Sequence, residues 1–552
     1  MRREAVDQSQ LRSTEVDAVI VGAGFSGLYM LHRLRELGFT TRLIEAADGV
    51  GGTWYWNRYP GARCDSESHY YCYSFSDEVR KDWKWSCRYP AQPEILDYLN
   101  FVADRLDLKK DIDFGTRIVS GHYDEATQGW RVETDRGETV RARFLITGVG
   151  NTSTPSAPNI PGLEAFAGKT YHTALWPHEK VDFTGQRVGL IGTGSSGIQS
   201  TPKIAEEAAH LTVFQRTANY SVPARNHDLT DDMRRELEEN YEEMRRLVLA
   251  SPIGMPFEIP QKSALEVSDE ERKARLDELW AIGSFRFMFT CYNDIVLDLK
   301  ANATVAGYIE AKIRDTVRDQ AVADVLCDFN HPAGTKRPPI DTNYYETFNR
   351  ENVSIVSIRA NPIREATADG LTLQNGDHHE LDAIVFATGF DTVTGTLMKL
   401  NLYGRGGQSL AEKWKDGPRA YLGLCTSGFP NLFMITGPGS PGILTNFPGC
   451  IEQNVDWITD VMEHMRETNA IRIEASDDAE TEWVREIVEV ADATLFPTVD
   501  SWYMNSNLPG KPRVFTGYLS GMNIYADICA DVAKSGYKGF EIRSREMADV
   551  TV

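Results

Sequence analysis

Positive charge is scarce in this sequence: 58 Lys and Arg face 80 Asp and Glu over 552 residues, for a formal net charge of -22. That balance argues against a general attraction to phosphate backbones or anionic lipid, so neither a nucleic-acid partner nor a membrane surface is expected. Long apolar runs are missing as well. None approaches the roughly 18 residues that span a bilayer, and the charged start MRREAVDQSQLRSTE is not followed by a secretory apolar core. A cytoplasmic location is the expectation. The eight cysteines, Cys64, Cys72, Cys87, Cys291, Cys327, Cys425, Cys450 and Cys529, form no CxxC pair and have no His at zinc-ligand spacing. Free thiols and no metal site follow. HExxH and GxSxG are absent, which leaves metalloprotease and hydrolase-elbow readings without support. No obligate protein partner is evident.

Apolar mass is present: 41% of residues are hydrophobic and 10% aromatic, enough for packed cores, and a chain of this length divides into two or three of them. VDAVIVGAGFSGLYMLHRLRELG reads as a buried strand, a glycine turn, and a helix with Leu28, Leu31 and Leu34 on one face. Gly22 permits the turn, Gly24 lets a pyrophosphate approach the backbone, and Gly27 seats the helix on the strand, whose neighbouring helix N-terminus attracts the anion. The next strand, TTRLIEA, ends on Glu45, placed to accept from a ribose diol.

The pattern returns in QRVGLIGTGSSGIQSTPKIAEEAAHLTVFQRT, with Gly192, Gly194 and Gly197 in the same roles. Arg216 now ends the second strand. A carboxylate repels an adenosine 2′-phosphate, whereas a guanidinium binds it through two hydrogen bonds. The first site suits FAD or NAD and the second NADP. RARFLITGVGN (141–151) and LDAIVFATGFD (381–391) bracket the second fingerprint as strand exits where the chain passes between domains. The expected fold is α/β, with two Rossmann-like dinucleotide-binding domains. A flavin domain over 1–150 resumes at 386–552, around an NADP domain at 151–385 that carries a charged helical insertion at about 228–330. Ser268 and Glu271 form a capping box within the insertion.

GGTWYWNRYPGARCD (51–65) bears on the chemistry. Flavin-dependent disulfide reductases carry a redox cysteine pair after such a GG turn; here Trp54 stands at the first position and no pair follows. The aromatics suit the walls of a dry flavin pocket, and equally plain core packing. With no disulfide relay and no haem or copper ligand set, dioxygen is the remaining acceptor. An oxygen nucleophile on the flavin then needs a fixed cation. GTKRPPIDTNYYE offers Lys336 and Arg337 in a loop stiffened by Pro338 and Pro339, although adjacent basic residues are commonly a solvated surface.

FAGKTYHTALWP, just before the second fingerprint, matches FxGxxxHxxxWP at Phe166, Gly168, His172, Trp176 and Pro177. With GAGFSGLY, YSFS, QPEIL, VFQRT, ATGFD and NLPGKPRV in the family's order, the whole chain resembles the type I Baeyer-Villiger monooxygenases, among them the phenylacetone, steroid and cyclohexanone enzymes. The resemblance implies FAD, NADPH, O2 and a small ketone, which becomes an ester or lactone. It assigns Arg337 to stabilising a peroxide at flavin C4a and the adduct, and Asp65 to tuning Arg337. Lys336 and Arg216 fall on the 2′-phosphate, and Trp502 on a mobile loop over the nicotinamide. Further cofactor contacts carry over to Phe25, Ser26, Gly52, Thr53, Trp54, Arg63, Tyr71 and Phe447, and to Thr193, Ser195, Ser196 and Thr217. ITGPGSPGILTNF resembles the stretch beside flavin and ketone, so Gly442, Ile443 and Leu444 are expected in the substrate pocket. Phenylacetone-type members often carry Ser-Ala where this chain has Gly442-Ile443, and SFRFMFTCYND (284–294) is nearer cyclohexanone-type members.

Two alternatives share both fingerprints: an N- or S-oxygenating flavin monooxygenase, and a redox sensor that holds nucleotides without turnover. The Trp176-Pro177 ending favours the ketone enzyme over the first. His172 and Trp176 are expected to organise the linker between the two dinucleotide domains.

Overall fold

The run EVDAVIV is apolar along most of its length because the strand it forms, Glu15–Val21, is covered on both faces, with Ala18, Val19 and Ile20 fully buried. It pairs in parallel with Thr41–Ile44 on one side and Thr139–Thr147 on the other. Val21 lies opposite both Ile44 and Thr147, so the strands end together at the glycine turn, the edge where parallel sheets hold ligands. Helix Phe25–Glu36 packs back with Leu28, Leu31 and Leu34 fully buried. Antiparallel strands Gly129–Thr134 and Ile118–Asp124 extend this sheet, and Leu432–Met434 joins it in parallel against Thr139–Thr147. The C-terminal third thereby returns to the first core, and its long helix Phe447–Glu467 packs on Phe25–Glu36. The computed structural model describes residues 14–156 and 158–544.

The second sheet has the order Val353–Ser357, His210–Gln215, Arg187–Ile191, Ala383–Phe386, Lys169–His172, every pair parallel. Between His210–Gln215 and Val353–Ser357 the chain builds helices that include Asp231–Glu239, Tyr241–Ala250, Asp269–Ile282 and Leu299–Thr316. Ser268 Oγ accepts from Glu271 N–H (3.2 Å), the first half of the expected capping box. Among the described residues no helix is long and apolar enough to cross a membrane.

One expectation needs refinement. FAGKTYHTALWP is more than a linker: Lys169–His172 is the edge strand of the second sheet, with His172 opposite Phe386. An edge strand hydrogen-bonds on one side only and leaves the other in solvent, so it needs no apolar alternation to hold its place.

Candidate active site

Each fingerprint helix, Phe25–Glu36 and Ser195–Glu207, starts on a glycine, and among the described residues no side chain caps either. Their first-turn amides therefore point at the strand ends as anion donors. A Cβ on Gly27 would lie 1.8 Å from the Gly22 carbonyl oxygen, and one on Gly197 2.0 Å from that of Gly192. Only glycine lets these helices sit so close. A Cβ on Gly52 would meet Gly24 Cα at 2.9 Å, so two bare glycine turns face each other and leave backbone, not side chains, toward a bound pyrophosphate. These residues fit FAD.

Glu45 is buried at the strand end. Its Oε2 accepts from Ala23 N–H (2.6 Å) and its Oε1 from Ala47 N–H (2.7 Å). Burial pushes the carboxyl up, and the amides pull the other way. The carboxylate thus clamps the turn itself, with further lone pairs left for a ribose. The short helix Thr53–Trp56 follows Gly52, and Trp54 Nε1 donates to Tyr71 OH (3.0 Å). Tyr71 in turn meets Phe25 edge-on at 5.4 Å. Ser26 is buried at the helix start.

Arg337 and Asp65, 272 residues apart in the chain, form a two-pronged ion pair: Nε to Oδ2 at 3.0 Å and Nη2 to Oδ1 at 2.9 Å. The Phe285 ring lies under the guanidinium, 4.9 Å from Cζ. Burial alone would weaken the cation's hold on its proton, but the Asp65 charge outweighs it and the Arg337 pKa is raised. Tyr503 faces the same cation, and burial pushes its phenol up to about 12. The charge is permanent and its direction is fixed by two bonds. Asp65 itself is held through its neighbours. Arg63 N–H donates to Gln199 Oε1 (3.4 Å), Gln199 Nε2 donates to the Arg63 carbonyl (3.1 Å), and Tyr59 OH donates to the same Oε1 (2.8 Å). The Arg63 guanidinium reaches the Tyr89 carbonyl at 3.4 Å. Gln199 belongs to the second fingerprint helix, so it joins the two nucleotide sites; sequence reasoning missed it, although it lies two residues past Gly197.

On the NADP side, Thr193 Oγ1 donates to the Thr217 carbonyl (2.7 Å), locking turn to strand end. Arg216 is exposed, beside Lys336. Burial, then repulsion from Arg216, lowers the Lys336 pKa; Arg359 adds to the repulsion and Asp500 opposes it. His331 is driven down to about 3 by burial, then by Lys336 and Arg359. Arg216, Lys336, Arg359 and a neutral His331 thus gather at one place, where the local charge suits an anion. Arg359, paired with Asp328 at 2.7 Å, was not foreseen, because nothing in its sequence neighbourhood marks it.

Trp502 stacks on Tyr503 at 4.2 Å, which brings its loop to Arg337. The same loop is pinned to the domain crossing: Asn507 Nδ2 donates to the Phe390 carbonyl (2.8 Å), and Lys511 pairs with Asp391. Gly442–Leu444 form a 3-10 turn with Gly442 and Ile443 buried, and Phe447 opens the following helix. No direct contact of these four with Arg337 is among the hydrogen bonds or ring contacts of the described residues.

His172 Nδ1 accepts from Ala174 N–H (3.0 Å), which leaves Nε2 to donate to the Ser156 carbonyl (3.2 Å), beside Thr388 Oγ1 (3.3 Å). Ser156 and Thr388 lie on the two crossings, themselves joined by Ser156 N–H to the Gly389 carbonyl (2.9 Å) and Asp391 N–H to the Thr154 carbonyl (2.8 Å). Burial keeps the imidazole neutral by lowering its pKa. Trp176 stacks on Tyr171 (5.3 Å) and Pro177 follows it, while Phe166 is buried just before Gly168. Trp176 is a core residue of the second half; of the two, His172 is the one that hydrogen-bonds to both crossings among the described residues.

Two sheets, one mixed and one parallel, each end on an open glycine turn, and Arg337 of the second half is ion-paired with Asp65 of the first, an arrangement that suits a flavin enzyme with a second dinucleotide. Residues 19–274 match the pyridine nucleotide-disulphide oxidoreductase family, although all eight cysteines here are unpaired. The chain is 43% identical to a Baeyer-Villiger monooxygenase of Pseudooceanicola batsensis, covering 96% of this chain and 97% of that one. It is equally 43% identical to the phenazine N-monooxygenase PhzNO1 of Lysobacter antibioticus, over 96% and 98%. A solved oxidized steroid monooxygenase bound to NADP superposes with a TM-score of 0.92 at 50% identity, over 96% and 100%. The chain belongs to the type I Baeyer-Villiger monooxygenases, NADPH-dependent enzymes whose cofactors are FAD and NADP.

Proposed function

We propose that this enzyme inserts one oxygen atom of O2 beside the carbonyl of a small ketone, giving an ester or lactone, with Arg337 as the cation that makes the step possible. The observation that carries the reading is the two-bonded Arg337–Asp65 pair (2.9 and 3.0 Å) beside Tyr503 and the Trp502 loop. Bound FAD, once reduced by NADPH, supplies the activation of O2. The protein's own groups do the rest. Asp65 fixes the guanidinium plane, and Arg337 opposes the negative charge on the attacking oxygen and on the adduct it forms with the carbonyl. Phe285 and the Trp54, Tyr71 and Phe25 aromatics keep water away. Arg216, Lys336 and Arg359 hold the 2′-phosphate, while Thr193, Ser195 and Ser196 line the pyrophosphate. Glu45 meets the FAD ribose, and Gly442, Ile443 and Leu444 bound the ketone. The flavin domain is assigned to 1–150 and 386–552, the NADP domain to 151–385.

The test is product analysis with purified enzyme, NADPH and cyclic, aryl and long-chain ketones, with a phenazine alongside. The phenazine belongs in the panel because a relative named for N-oxidation stands at the same identity as the Baeyer-Villiger one. Arg337→Ala should still reduce its flavin with NADPH but lose about 10²- to 10³-fold in ester formation. Ester formation at a near-normal rate would sink the assignment, and N-oxide without ester would favour the alternative.

A further inference from the structure

A cleft of about 480 Å3 opens between the flavin-half segment around residues 69–98 and the inserted helices Asp231–Glu239 and Tyr241–Ala250. None of the residues assigned to FAD, NADP, Arg337–Asp65 or the ketone lines it. Its volume is in the range of small-ligand sites. Rings form much of the wall: Trp83 meets Trp85 edge-on at 5.7 Å and Tyr98 at 5.5 Å, and Tyr241 closes the opposite side. Leu229, Leu237 and Met244 complete the apolar surface.

Two further observations specify what this cleft takes. Its lining carries five cationic side chains against two carboxylates, in a protein whose net charge is -22; Arg80, Lys81, Arg234 and Arg235 are ion-paired with Asp77, Glu238, Asp231 and Asp232, which leaves Lys84 as the lining cation with no ion pair among the described residues. Three shielded donors, Arg80 Nε, Trp83 Nε1 and the Tyr241 hydroxyl, have no hydrogen-bond partner among the described residues. Buried donors without acceptors are destabilising, so their collection at one place calls for an acceptor group. All three side chains line the cleft: Arg80 lies over the Tyr241 ring at 3.8 Å, with its other nitrogens engaged by Glu238 and Asp77, and Trp83 follows three residues later in the chain. Burial moves the Tyr241 phenol up to about 12, so it keeps its proton to donate at neutral pH.

We propose that this cleft is a second small-molecule site for a flat hydrophobic monoanion, an aryl carboxylate, whose carboxylate accepts from Arg80, Trp83 and Tyr241 while its rings lie against the indoles. Asp231 and Glu238 in the lining disfavour a dianion such as a phosphate ester. A neutral ketone or ester leaves the cationic field unused. Because the walls come from both the flavin half and the inserted helices, an occupant also ties these two parts together.

The test is calorimetric titration of the FAD-loaded enzyme, saturated with NADP+, with 2-naphthoate and with its neutral analogue 2-naphthamide. The acid should bind at one site per chain, and the amide at least about tenfold more weakly. Met244→Trp, which fills the cleft, should abolish binding. Lys84→Glu, on an exposed side chain, should weaken it several-fold. Both variants should keep the wild-type kcat and KM for NADPH and ketone. The proposal is overturned if the wild type does not bind the acid, if acid and amide bind equally, if Met244→Trp folds and still binds, if Lys84→Glu leaves binding unchanged, or if cyclohexanone displaces the acid.

Discussion

The two glycine turns of this enzyme are nearly the same object, and the residues that close them are opposites. Gly22 and Gly192 both have positive φ, at 96° and 115°, and both helices sit on their turns through a glycine that no other residue can replace. At the end of the second strand, however, the flavin half has a buried carboxylate bonded to two backbone amides, and the NADP half has an exposed arginine among repelling cations. Backbone geometry provides the shared diphosphate cradle. The halves differ a strand away, where Glu45 is bonded into its own turn and Arg216 stands exposed beside Lys336.

The shared glycines should separate the two halves most sharply. Gly197→Ala should leave FAD bound and raise the KM for NADPH by about 10²-fold or more, since a cradle shifted by an ångström loses that much. Gly27→Ala should instead yield protein without FAD. Visible absorbance and steady-state kinetics separate the two, and FAD loss from Gly197→Ala would contradict the division. Next comes the opposed pair. Arg216→Glu should cut kcat/KM for NADPH about tenfold to 100-fold while changing that for NADH little, because one charge-assisted pair contributes about 1.5–3 kcal/mol; equal losses with both nucleotides would remove Arg216 from the 2′-phosphate.

A smaller effect is pH-dependent. The Lys336 pKa is lowered in the folded protein, so its charge disappears at a lower pH than for an ordinary lysine, and recognition of the 2′-phosphate weakens as pH rises through that lowered value. The KM for NADPH should rise on the alkaline side in the wild type, stay flat in Lys336→Arg, and be flat for NADH throughout. A Lys336→Arg profile that matches the wild type would count against Lys336. The smallest change is expected from His172→Ala, which cuts the bond from the edge strand to Ser156. FAD should stay bound and ester made per NADPH consumed should fall a few-fold; unchanged coupling would leave His172 a purely structural residue.

The glycine spacing made both halves legible in the sequence, because turn, helix and strand requirements all fall within about thirty residues. The edge strand Lys169–His172 was not legible, since it is four residues long and half-exposed, and its pairing with Ala383–Phe386 spans more than two hundred residues. Lys336 and Arg337 were visible as a basic pair in a proline-stiffened loop, but only resemblance joined Arg337 to Asp65, as composition carries no information on a pairing 272 residues apart. Glu45 was legible as the carboxylate that ends the strand, yet its bonds to Ala23 and Ala47 are a duty no spacing could indicate. Gln199, Arg359 and Phe285 were missed for the same reason: each acts through a neighbour distant in the chain.

The paired crossings have a consequence for how such an enzyme can be rebuilt. The chain leaves for the second sheet beside Ser156 and comes back at Gly389, and those two residues share a hydrogen bond of 2.9 Å. Everything between them is a cassette whose two ends lie side by side. A shortened chain in which a brief turn joins these ends need not stretch the flavin half, and a foreign nucleotide-binding unit with equally close termini can be spliced into the same seam. The chain is cut and rejoined at one seam, but an incoming unit has to bring its own cation for Asp65 and replace bonds such as those of His227 and Leu229 to Arg88 and Ser86.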